Sequence, residues 1–489
     1  MIKQTIEEVK KLAVGNKIVP ISLEIFSDIK TPIQVLKNFM EKSNRYYLLE
    51  SVEGGEKWGR YSFLGFDPKM QVKCTDGNLE IIENNKVRNI KTENPSEVIR
   101  EILLNYKSPK VDYLPPFTGG FVGYFSYDYI KYAEKSIKLK SKDDVGFCDL
   151  DLMLFDKVIA FDHLRQKIIV IVNIDVENID KSYIDGVIEV QKIANIIKTH
   201  NEICYEKSKI LSEFIPIFEE SEYCEKVRKA KEHIYEGDIF QAVLSNRLEA
   251  GFEGNLLSTY RILRTMNPSP YMFYLNTGDV EITGASPETL ITLKDGELST
   301  FPIAGTRKRG ESENEDEEII KDLLNDEKEL SEHNMLVDLS RNDLGKISEF
   351  NSIRVEDYLE IIRFSHVIHI ASTVKGKIRK DLDALDAINA VLPAGTLSGA
   401  PKIKACEIID KLEGNKRGIY GGAIGYIDFT GNMDLCISIR MTVKKDNKVY
   451  VQSGAGIVAG SDPKSEYNEC INKAKVMVEA LKLSKEVSE

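Results

Sequence analysis

Residues 417–460, RGIYGGAIGYIDFTGNMDLCISIRMTVKKDNKVYVQSGAGIVAG, contain three strand-like segments in direct succession. The segments 417–429, 434–443 and 449–460 are separated by only a few polar residues. Strands joined by such short links pair antiparallel, because a parallel pair needs a crossover of about a dozen residues or more. The stretch therefore predicts an α+β fold with largely antiparallel sheets, and argues against a βαβ series.

Helical and strand patterns occur on both sides of a change in composition. Helical spacing predicts helices in TPIQVLKNFMEK (31–42) and EYCEKVRKAKEHIY (222–235), and Asp76-Gly77 is typical of a hairpin turn. The composition changes near 205–220, which we interpret as a linker. The sequence thus predicts an N-terminal region, 1–210, and a C-terminal region, 211–489.

The charge balance restricts the possible partners. The chain of 489 residues has 66 basic and 78 acidic side chains, a formal net charge of -12. Such a surface disfavours nucleic acid and anionic membranes as partners, and a small anionic substrate would need an arginine, backbone N–H groups or a metal. The seven cysteines form no C-x-x-C pair, so reduced thiols in the cytoplasm are expected. The longest apolar run, KIIVIVNI, is too short to span a bilayer, and no targeting segment is predicted.

Two acidic segments have the same spacing. In DEKELSEHNMLVDLSRND (326–343), Glu329 and Glu332 share a helix face with the apolar stripe instead of lying opposite it. In SDPKSEYNECINKA (461–474), Glu466 and Glu469 are again three residues apart. One carboxylate from each of two helices is a common protein contribution to a Mg²⁺ site. A solvated helix face and a favourable helix dipole are the alternative explanations.

Several glycine-rich segments could bind an anion through backbone N–H groups. PIAGTRKRG (302–310) is either such a site or a surface turn, and PAGTLSGAPK (393–402) leads from one helix into another. Arg440, among apolar neighbours, is expected to meet a structural carboxylate or an anionic ligand. His369 on a strand and Glu288 in a short turn have equally ordinary structural explanations, so no single motif defines a reaction.

Taken in order, these segments resemble the chorismate-utilising enzymes, most closely their anthranilate synthase component I branch. The matching segments are PISLE (20–24), YLLESVEGGEKWGRYSFLG (47–65), NPSPYMFYL (267–275), GASPETL (284–290), PIAGTRKRG (302–310), DEKELSEHNMLVDLSRNDLG (326–345), PAGTLSGAPKIKA (393–405), RGIYGGAIGY (417–426), NMDLCISIR (432–440), QSGAGIVA (452–459) and SDPKSEYNECINKA (461–474). The resemblance covers nearly the whole chain. It implies two apposed antiparallel sheets flanked by helices, and an active site in the C-terminal region.

The resemblance also implies roles for individual residues in converting chorismate and ammonia to anthranilate and pyruvate. Mg²⁺ would be held by Glu332 and Glu469, with Glu329 and Glu466 orienting metal-bound waters. His369 would assist loss of the C4 hydroxyl, Glu288 would be the acid/base of pyruvate elimination, and Thr396 would touch the ring carboxylate. Chorismate would be bound by Gly305, Thr306, Tyr420, Arg440, Gly454, Ala455 and Gly456.

Two positions separate this reaction from those of sister enzymes. Aminodeoxychorismate synthases that resemble the chain have a nucleophilic lysine where Ala304 stands, and isochorismate and salicylate synthases have a lysine base where Gln241 stands. Neither alanine nor glutamine can do that chemistry, which favours direct attack by ammonia. The alternatives are an aminodeoxychorismate synthase with another nucleophile, a non-catalytic tryptophan-binding regulator, or a magnesium-stabilised structural protein.

The resemblance further implies regulation and a partner. Ser51, Pro270, Tyr271 and Met272 would contact tryptophan as a feedback inhibitor. No cysteine lies in the G-x-C-x-G turn of a class I glutaminase. Ammonia from glutamine would therefore require a separate amidotransferase subunit, anthranilate synthase component II, in a hetero-oligomer such as a heterotetramer.

Overall fold

The computed structural model describes residues 2–28, 30–51, 59–199, 208–363 and 367–485, and the backbone alone of Thr306. Its helices are α1 (Ile6–Leu12), α2 (Pro32–Met40), α3 (Pro95–Leu104), α4 (Ile130–Ala133), α5 (Ile179–Lys198), α6 (Glu220–Tyr235), α7 (Leu257–Met266), α8 (Glu313–Asn325), α9 (Glu327–Gly345), α10 (Ala384–Val391), α11 (Lys402–Glu413) and α12 (Pro463–Leu483). Short 3₁₀ turns lie at Tyr127–Tyr129 and Gly395–Leu397. No helix of the described ranges is long and apolar enough to cross a membrane.

The first sheet contains β1 (Ile18–Phe26), β2 (Tyr46–Glu50), β3 (Tyr61–Phe66), β9 (Lys157–Asp162), β10 (Lys167–Asp175), β11 (Lys209–Ile210), β12 (Ile215–Pro216), β13 (Gln241–Glu253), β14 (Tyr271–Asn276), β15 (Glu281–Ser286), β21 (Gly399–Ala400), β24 (Met441–Lys445) and β25 (Lys448–Ile457). Its strand order is β1-β10-β9-β3-β2-β14-β15-β24-β25-β13-β11, with β12 and β21 also paired to β13.

The second sheet contains β4 (Met70–Thr75), β5 (Asn78–Glu83), β6 (Lys86–Lys91), β7 (Gly120–Phe125), β8 (Leu150–Phe155), β16 (Thr289–Lys294), β17 (Glu297–Thr300), β18 (Ile303–Lys308), β19 (Arg354–Arg363), β20 (Val367–Lys377), β22 (Ala423–Asp428) and β23 (Met433–Ile437). Its order is β18-β20-β17-β16-β23-β22-β7-β8-β4-β5-β6, with β19 paired to β20. The strand pairs formed by the quoted segments, such as β22 with β23 and β24 with β25, are antiparallel. The predicted α+β class with two antiparallel sheets is therefore confirmed.

Two cores follow from the alternation of side chains along the strands. Phe121, Phe273 and Tyr426 belong to a core that joins residues of both sheets, whereas Phe39 and Tyr260 belong to a second core between the first sheet and its covering helices. The Asp76-Gly77 hairpin is present, with both residues at positive φ, between β4 and β5. The cores thus place the helices outside and the two sheets face to face.

Both sheets take strands from each side of the predicted boundary at 210/211. In the first sheet, β2 from the N-terminal region pairs with β14 from the C-terminal region. In the second sheet, β7 pairs in the same way with β22. The division into 1–210 and 211–489 remains a proposal about sequence regions, whose strands are shared between common sheets.

The structure excludes one alternative for 302–310 and corrects one local prediction, the strand at Arg440. The segment 302–310 is not a surface turn: Ile303–Lys308 form β18, paired to β20, with a register shift between Ala304 and Thr306. Arg440 is not within a strand, because it lies between the end of β23 and the start of β24 with φ +50. At both positions a residue with positive φ interrupts the regular strand and changes the direction of the backbone.

Candidate active site

Two helices bring the four predicted metal-site glutamates close enough to influence one another electrostatically. Helix α9 packs on β18 and β20 of the second sheet, and α12 packs on β25 of the first. The side chain of Asp326 caps α9 by accepting hydrogen bonds from the N–H groups of Lys328 and Glu329, at 3.0 and 3.2 Å. Asp462 caps α12 in the same way through Ser465 N–H, at 2.9 Å. The four glutamates therefore lie in the first two turns of two capped helices.

The carboxylates of the two helices influence one another. Partial desolvation raises the pKa of Glu332, and the negative charges of Glu329 and Glu469 raise it further. The pKa of Glu466 is also raised, by desolvation and then by Glu469. A cation placed between α9 and α12 would relieve this repulsion, because an opposite charge favours the ionised carboxylates.

Basic side chains that the sequence interpretation missed already contact two of these glutamates. Lys473 forms an ion pair with Glu469 at 2.7 Å and donates a hydrogen bond to the carbonyl oxygen of Gly454 at 3.1 Å. Arg307 forms an ion pair with Glu329 at 3.1 Å. The spacing of Glu469 and Lys473, four residues apart on a helix, was the signal that could have revealed the first contact.

The donor set fits Mg²⁺, which prefers carboxylate oxygens and keeps several waters. Glu332 and Glu469 are both exposed, which leaves a path by which an ion can enter. In the described part of the chain, no three of the four glutamates lie within 4.8 Å of one another. An ion at Glu469 would compete with the Lys473 ammonium group for this carboxylate.

Glu288 and Thr396 meet in a small cavity beside α9. Glu288 lies between β15 and β16, and its carboxylate accepts a hydrogen bond of 3.0 Å from the Thr396 hydroxyl. Burial raises the pKa of Glu288 to about 7, although the Thr396 hydrogen bond and the charge of Lys473 act in the opposite direction. A carboxyl group with this pKa can both take up and release a proton near neutral pH.

His369 and Arg440 are electrostatic neighbours. The pKa of His369 is lowered by burial and by the charge of Arg440, so its imidazole is neutral at physiological pH. The pKa of Arg440 is itself lowered by burial, and in the described part of the chain only the Tyr420 hydroxyl counteracts this. With no carboxylate among its electrostatic neighbours, the Arg440 guanidinium is suited to an anionic ligand.

The glycines of β25 allow buried polar groups to approach the backbone closely. A Cβ atom on Gly454 would lie 3.0 Å from the Tyr420 hydroxyl oxygen, and one on Gly456 would lie 2.8 Å from Nε2 of Gln241. Ala455 faces the opposite side of the strand, where its methyl group packs into the core with α6 and α11. Only the backbone of Ala455 can therefore take part in binding chorismate.

The bulge of β18 reorients the backbone next to His369. Gly305 has φ +62, a conformation that favours glycine, and Thr306 stands opposite His369 in the register with β20. Ala304, one residue earlier, is buried opposite Ile370. The neighbouring His366 lies outside the described residues.

The predicted inhibitor contacts gather at a different place, a cavity of about 1190 Å³ lined by both sheets. Ser51, Pro270 and Tyr271 line it together with Met272, whose side chain is otherwise packed in the helix-side core. The Tyr271 hydroxyl donates to Asp434 at 2.8 Å and lies 3.0 Å from the Thr289 hydroxyl. This cavity is lined by none of the four glutamates, but the Tyr271 hydroxyl links its lining to Thr289, the residue next to Glu288.

The sequence of the chain matches the family described as chorismate binding enzyme over residues 44–479. The chain belongs to the chorismate-binding enzyme family. Among curated members of this family, anthranilate synthase component 1 from Acetivibrio thermocellus is 46% identical over 495 residues, which cover 100% of both chains.

Solved structures of other proteins show the same architecture. The crystal structure of anthranilate synthase component I from Streptococcus pneumoniae TIGR4 superposes with a TM-score of 0.77 and 37% identity, covering 93% of this chain and 98% of that one. The menaquinone-specific isochorismate synthase from Escherichia coli has a TM-score of 0.71 at 17% identity, covering 97% and 98%, and shares the fold alone. The chain is therefore identified with the anthranilate synthase component 1 branch of the family.

Proposed function

We propose that the chain is the synthase subunit of a cytoplasmic anthranilate synthase, which converts chorismate and ammonia to anthranilate and pyruvate. The observation that carries this proposal is the full-length similarity to anthranilate synthase component 1, at 46% identity, combined with Gln241 and Ala304 at the two positions that distinguish the nucleophiles. The buried Gln241 amide abuts the Gly456 backbone, where a lysine base would be needed to activate water. This environment favours ammonia as the attacking group.

The residues of the candidate active site would each support a different part of the reaction. Arg440 and the backbone of Gly454 and Gly456 would bind the enolpyruvyl carboxylate, with Tyr420 closing that side. His369, neutral at the working pH, would accept or donate a proton at the departing C4 hydroxyl. Glu288, held by Thr396, would move the proton that accompanies loss of pyruvate.

Glu332 and Glu469 would hold Mg²⁺, with Glu329 and Glu466 orienting its waters. When bound, the ion would offset the charge of the ring carboxylate and act as a Lewis acid. Lys473 pairs with Glu469 at 2.7 Å, so the ion would compete with this ammonium group for the carboxylate.

The proposal includes a partner and an inhibitor. The number in the relatives' name, component 1, supports a second component, and we propose that this is a glutamine amidotransferase subunit that delivers ammonia within a hetero-oligomer. Tryptophan would bind in the cavity lined by Ser51, Pro270, Tyr271 and Met272 and lower chorismate affinity by allosteric coupling. In the described ranges, Cys148 and the five buried cysteines are all free, as expected for a cytoplasmic protein.

The test is anthranilate fluorescence from the purified chain with chorismate, Mg²⁺ and an ammonium salt at alkaline pH. Anthranilate is expected with ammonium, and is expected to be absent without metal or with glutamine as the only nitrogen source. An Ala304→Lys variant, run beside it, tests whether a lysine at this position captures the substrate. Aminodeoxychorismate from the unchanged chain, or tryptophan binding without any product, would overturn the proposal.

A further inference from the structure

A nearly buried ion pair joins two segments whose ends have no role in the proposed reaction. Lys402, the last residue of PAGTLSGAPK, forms an ion pair with Asp343, near the end of DEKELSEHNMLVDLSRNDLG, at 2.7 Å. Their side chains are only 11% and 14% exposed. The same ammonium group donates a hydrogen bond of 2.9 Å to the carbonyl oxygen of Val391.

The position of Lys402 is unfavourable for a lysine unless the side chain has a specific task. It is the first residue of α11, where the positive end of the helix dipole opposes a cation. Burial also lowers the pKa of Lys402, although Asp343 counteracts this effect. Val391 is the last residue of α10, so the ammonium group neutralises the C-terminal end of that helix while it pairs with α9.

This geometry closes the loop 392–401 on itself. The loop begins after Val391 and ends before Lys402, and the hydrogen bond between these two residues joins its ends. Thr396, at the middle of the loop, donates to Glu288 at 3.0 Å. Arg417 holds the next residue, Leu397, through a separate hydrogen bond of 2.6 Å to its carbonyl oxygen.

The closed loop also packs tightly on α9. A Cβ atom on Gly395 would lie 2.9 Å from Cδ1 of Leu339, so the backbone before Thr396 touches the helix directly. Leu339, Asp343 and Glu332 lie on one side of α9 at helical spacing, and Leu339 and Asp343 line the cavity that contains Glu288. A shift of α9 along its axis would therefore move the Thr396 segment as well.

We propose that Lys402 and Asp343 are positioning residues that fix α9, and with it Glu332, in register with Thr396 and Glu288. The assignment rests on the proposed function, because Glu332 and Glu288 are taken to act on opposite parts of one chorismate molecule. Neither residue is among those proposed to bind substrate or metal. Their task is to keep two groups on different segments at a constant separation.

A double variant separates positioning from simple charge balance. Asp343→Leu with Lys402→Met removes both charges, so no unpaired charge remains to unfold the protein, whereas either single variant leaves one behind. The double variant is expected to keep the wild-type melting temperature within a few degrees. Its kcat for ammonium-dependent anthranilate formation is expected to fall about tenfold or more, with chorismate KM changing less than twofold to threefold.

Hydrogen exchange supplies a readout that does not depend on activity. Amides of 392–401 are expected to exchange faster in the double variant than in the wild type, because the loop has lost its closing contact. Lys402→Arg, which can still reach both Asp343 and Val391, is expected to restore protection and at least half of kcat. Lys346→Met is the matched control, because Lys346 also contacts Asp343, at 3.2 Å, but from a side chain that is 57% exposed. This variant should change neither kcat nor the amide hydrogen exchange of 392–401.

The outcomes are distinct. If the double variant had wild-type kcat and wild-type amide hydrogen exchange in 392–401, the proposal would be overturned. The ion pair between Lys402 and Asp343 would then serve only to neutralise two buried charges. If the unchanged chain made no anthranilate, the proposed function would fail, and unaltered exchange in the double variant would overturn the positioning role separately. Faster exchange, restored by Lys402→Arg, would support it in either case.

Discussion

The Tyr271 hydroxyl lies 3.0 Å from the Thr289 hydroxyl, and Thr289 is the residue directly after Glu288. Tyr271 lines the cavity proposed for tryptophan, and Glu288 is the proposed acid/base. The same tyrosine hydroxyl donates to Asp434, which is buried on the neighbouring strand β23. A ligand that moves the Tyr271 ring must therefore break or displace contacts at the backbone that carries Glu288.

Thr289→Val is expected to weaken inhibition by tryptophan without abolishing tryptophan binding. Valine keeps the size and the β-branched shape of threonine but removes the hydroxyl facing Tyr271. The factor by which tryptophan weakens chorismate binding should fall about fivefold, corresponding to about 1 kcal/mol of coupling free energy. Titrations of tryptophan with and without chorismate measure this factor directly.

Thr292→Val is the matched control for this prediction. Thr292 lies on the same strand, β16, and lines the same cavity. In Thr292→Val, the factor by which tryptophan weakens chorismate binding should equal that of the wild type, even if the affinity for tryptophan changes. Equal losses of coupling in both variants would mean that the Thr289 hydroxyl is not the link.

Glu288→Gln is expected to stabilise the fold at alkaline pH while it removes activity. The pKa of Glu288 is raised to about 7, above its ordinary value, so the folded state binds this proton more tightly than the unfolded chain does. The resulting stabilisation is fully present below the unfolded pKa and is lost as the pH rises through about 7. Glutamine has no proton to lose, so the variant should be more stable than the wild type by about 1 to 3 kcal/mol at pH about 8.

Urea unfolding at acidic and alkaline pH measures this difference, which should nearly vanish at pH about 4, because the folded and the unfolded wild type are then both largely protonated at this carboxyl group. The variant should also lose about 10²-fold to 10⁴-fold in kcat, the usual contribution of a general acid or base. The same change at exposed Glu101 should alter neither stability nor turnover. A stability gain that does not depend on pH would contradict the assigned cause.

The sequence predicted some parts of this site and missed others, and the missed parts have physical reasons. Periodicity identified both acidic helices because their spacing is local. The bulge of β18 could not be predicted, because 302–310 becomes a strand only through pairing with β20, far along the chain. Lys402 and Asp343 are 59 residues apart, and neither has a local signal for the other.

The roles of Glu288, His369 and Arg440 illustrate a second limit. Each residue alone had an ordinary structural explanation, and only the resemblance to a family singled it out. The structure shows two relationships that the sequence pattern does not reveal. Thr396 donates a hydrogen bond to Glu288, and the charge of Arg440 lowers the pKa of His369. Such long-range relationships depend on the tertiary fold, which residue spacing does not encode.

Arg440→Met is expected to cost affinity for chorismate but not stability. Burial lowers the pKa of Arg440, and no carboxylate in the described ranges is among its electrostatic neighbours, so the ligand-free protein bears the cost of desolvating this charge. The variant should melt at the wild-type temperature or above it. Chorismate KM should rise about tenfold to a hundredfold, and the increase of melting temperature on adding chorismate should disappear.

Arg341→Met provides the comparison, because Arg341 is an exposed arginine on α9 whose ion pair with Asp338 spans 3.3 Å at the surface. Surface pairs of this kind contribute little, so both chorismate KM and melting temperature should stay unchanged. A marked loss of stability in Arg440→Met would mean that the guanidinium has a structural partner and is not reserved for a ligand.

Glu469→Gln is expected to raise the Mg²⁺ concentration needed for half-maximal activity about tenfold or more, because one of the two proposed ligands loses its charge. The variant also releases Lys473, which is paired to Glu469 at 2.7 Å, and so removes the competing cation at the same time. Any loss of Mg²⁺ activation therefore understates the importance of the carboxylate. Glu479→Gln, an exposed position on the same helix, should leave the Mg²⁺ dependence unchanged. Unchanged Mg²⁺ activation in both variants would remove Glu469 from the metal site and leave its pairing with Lys473 as its only role.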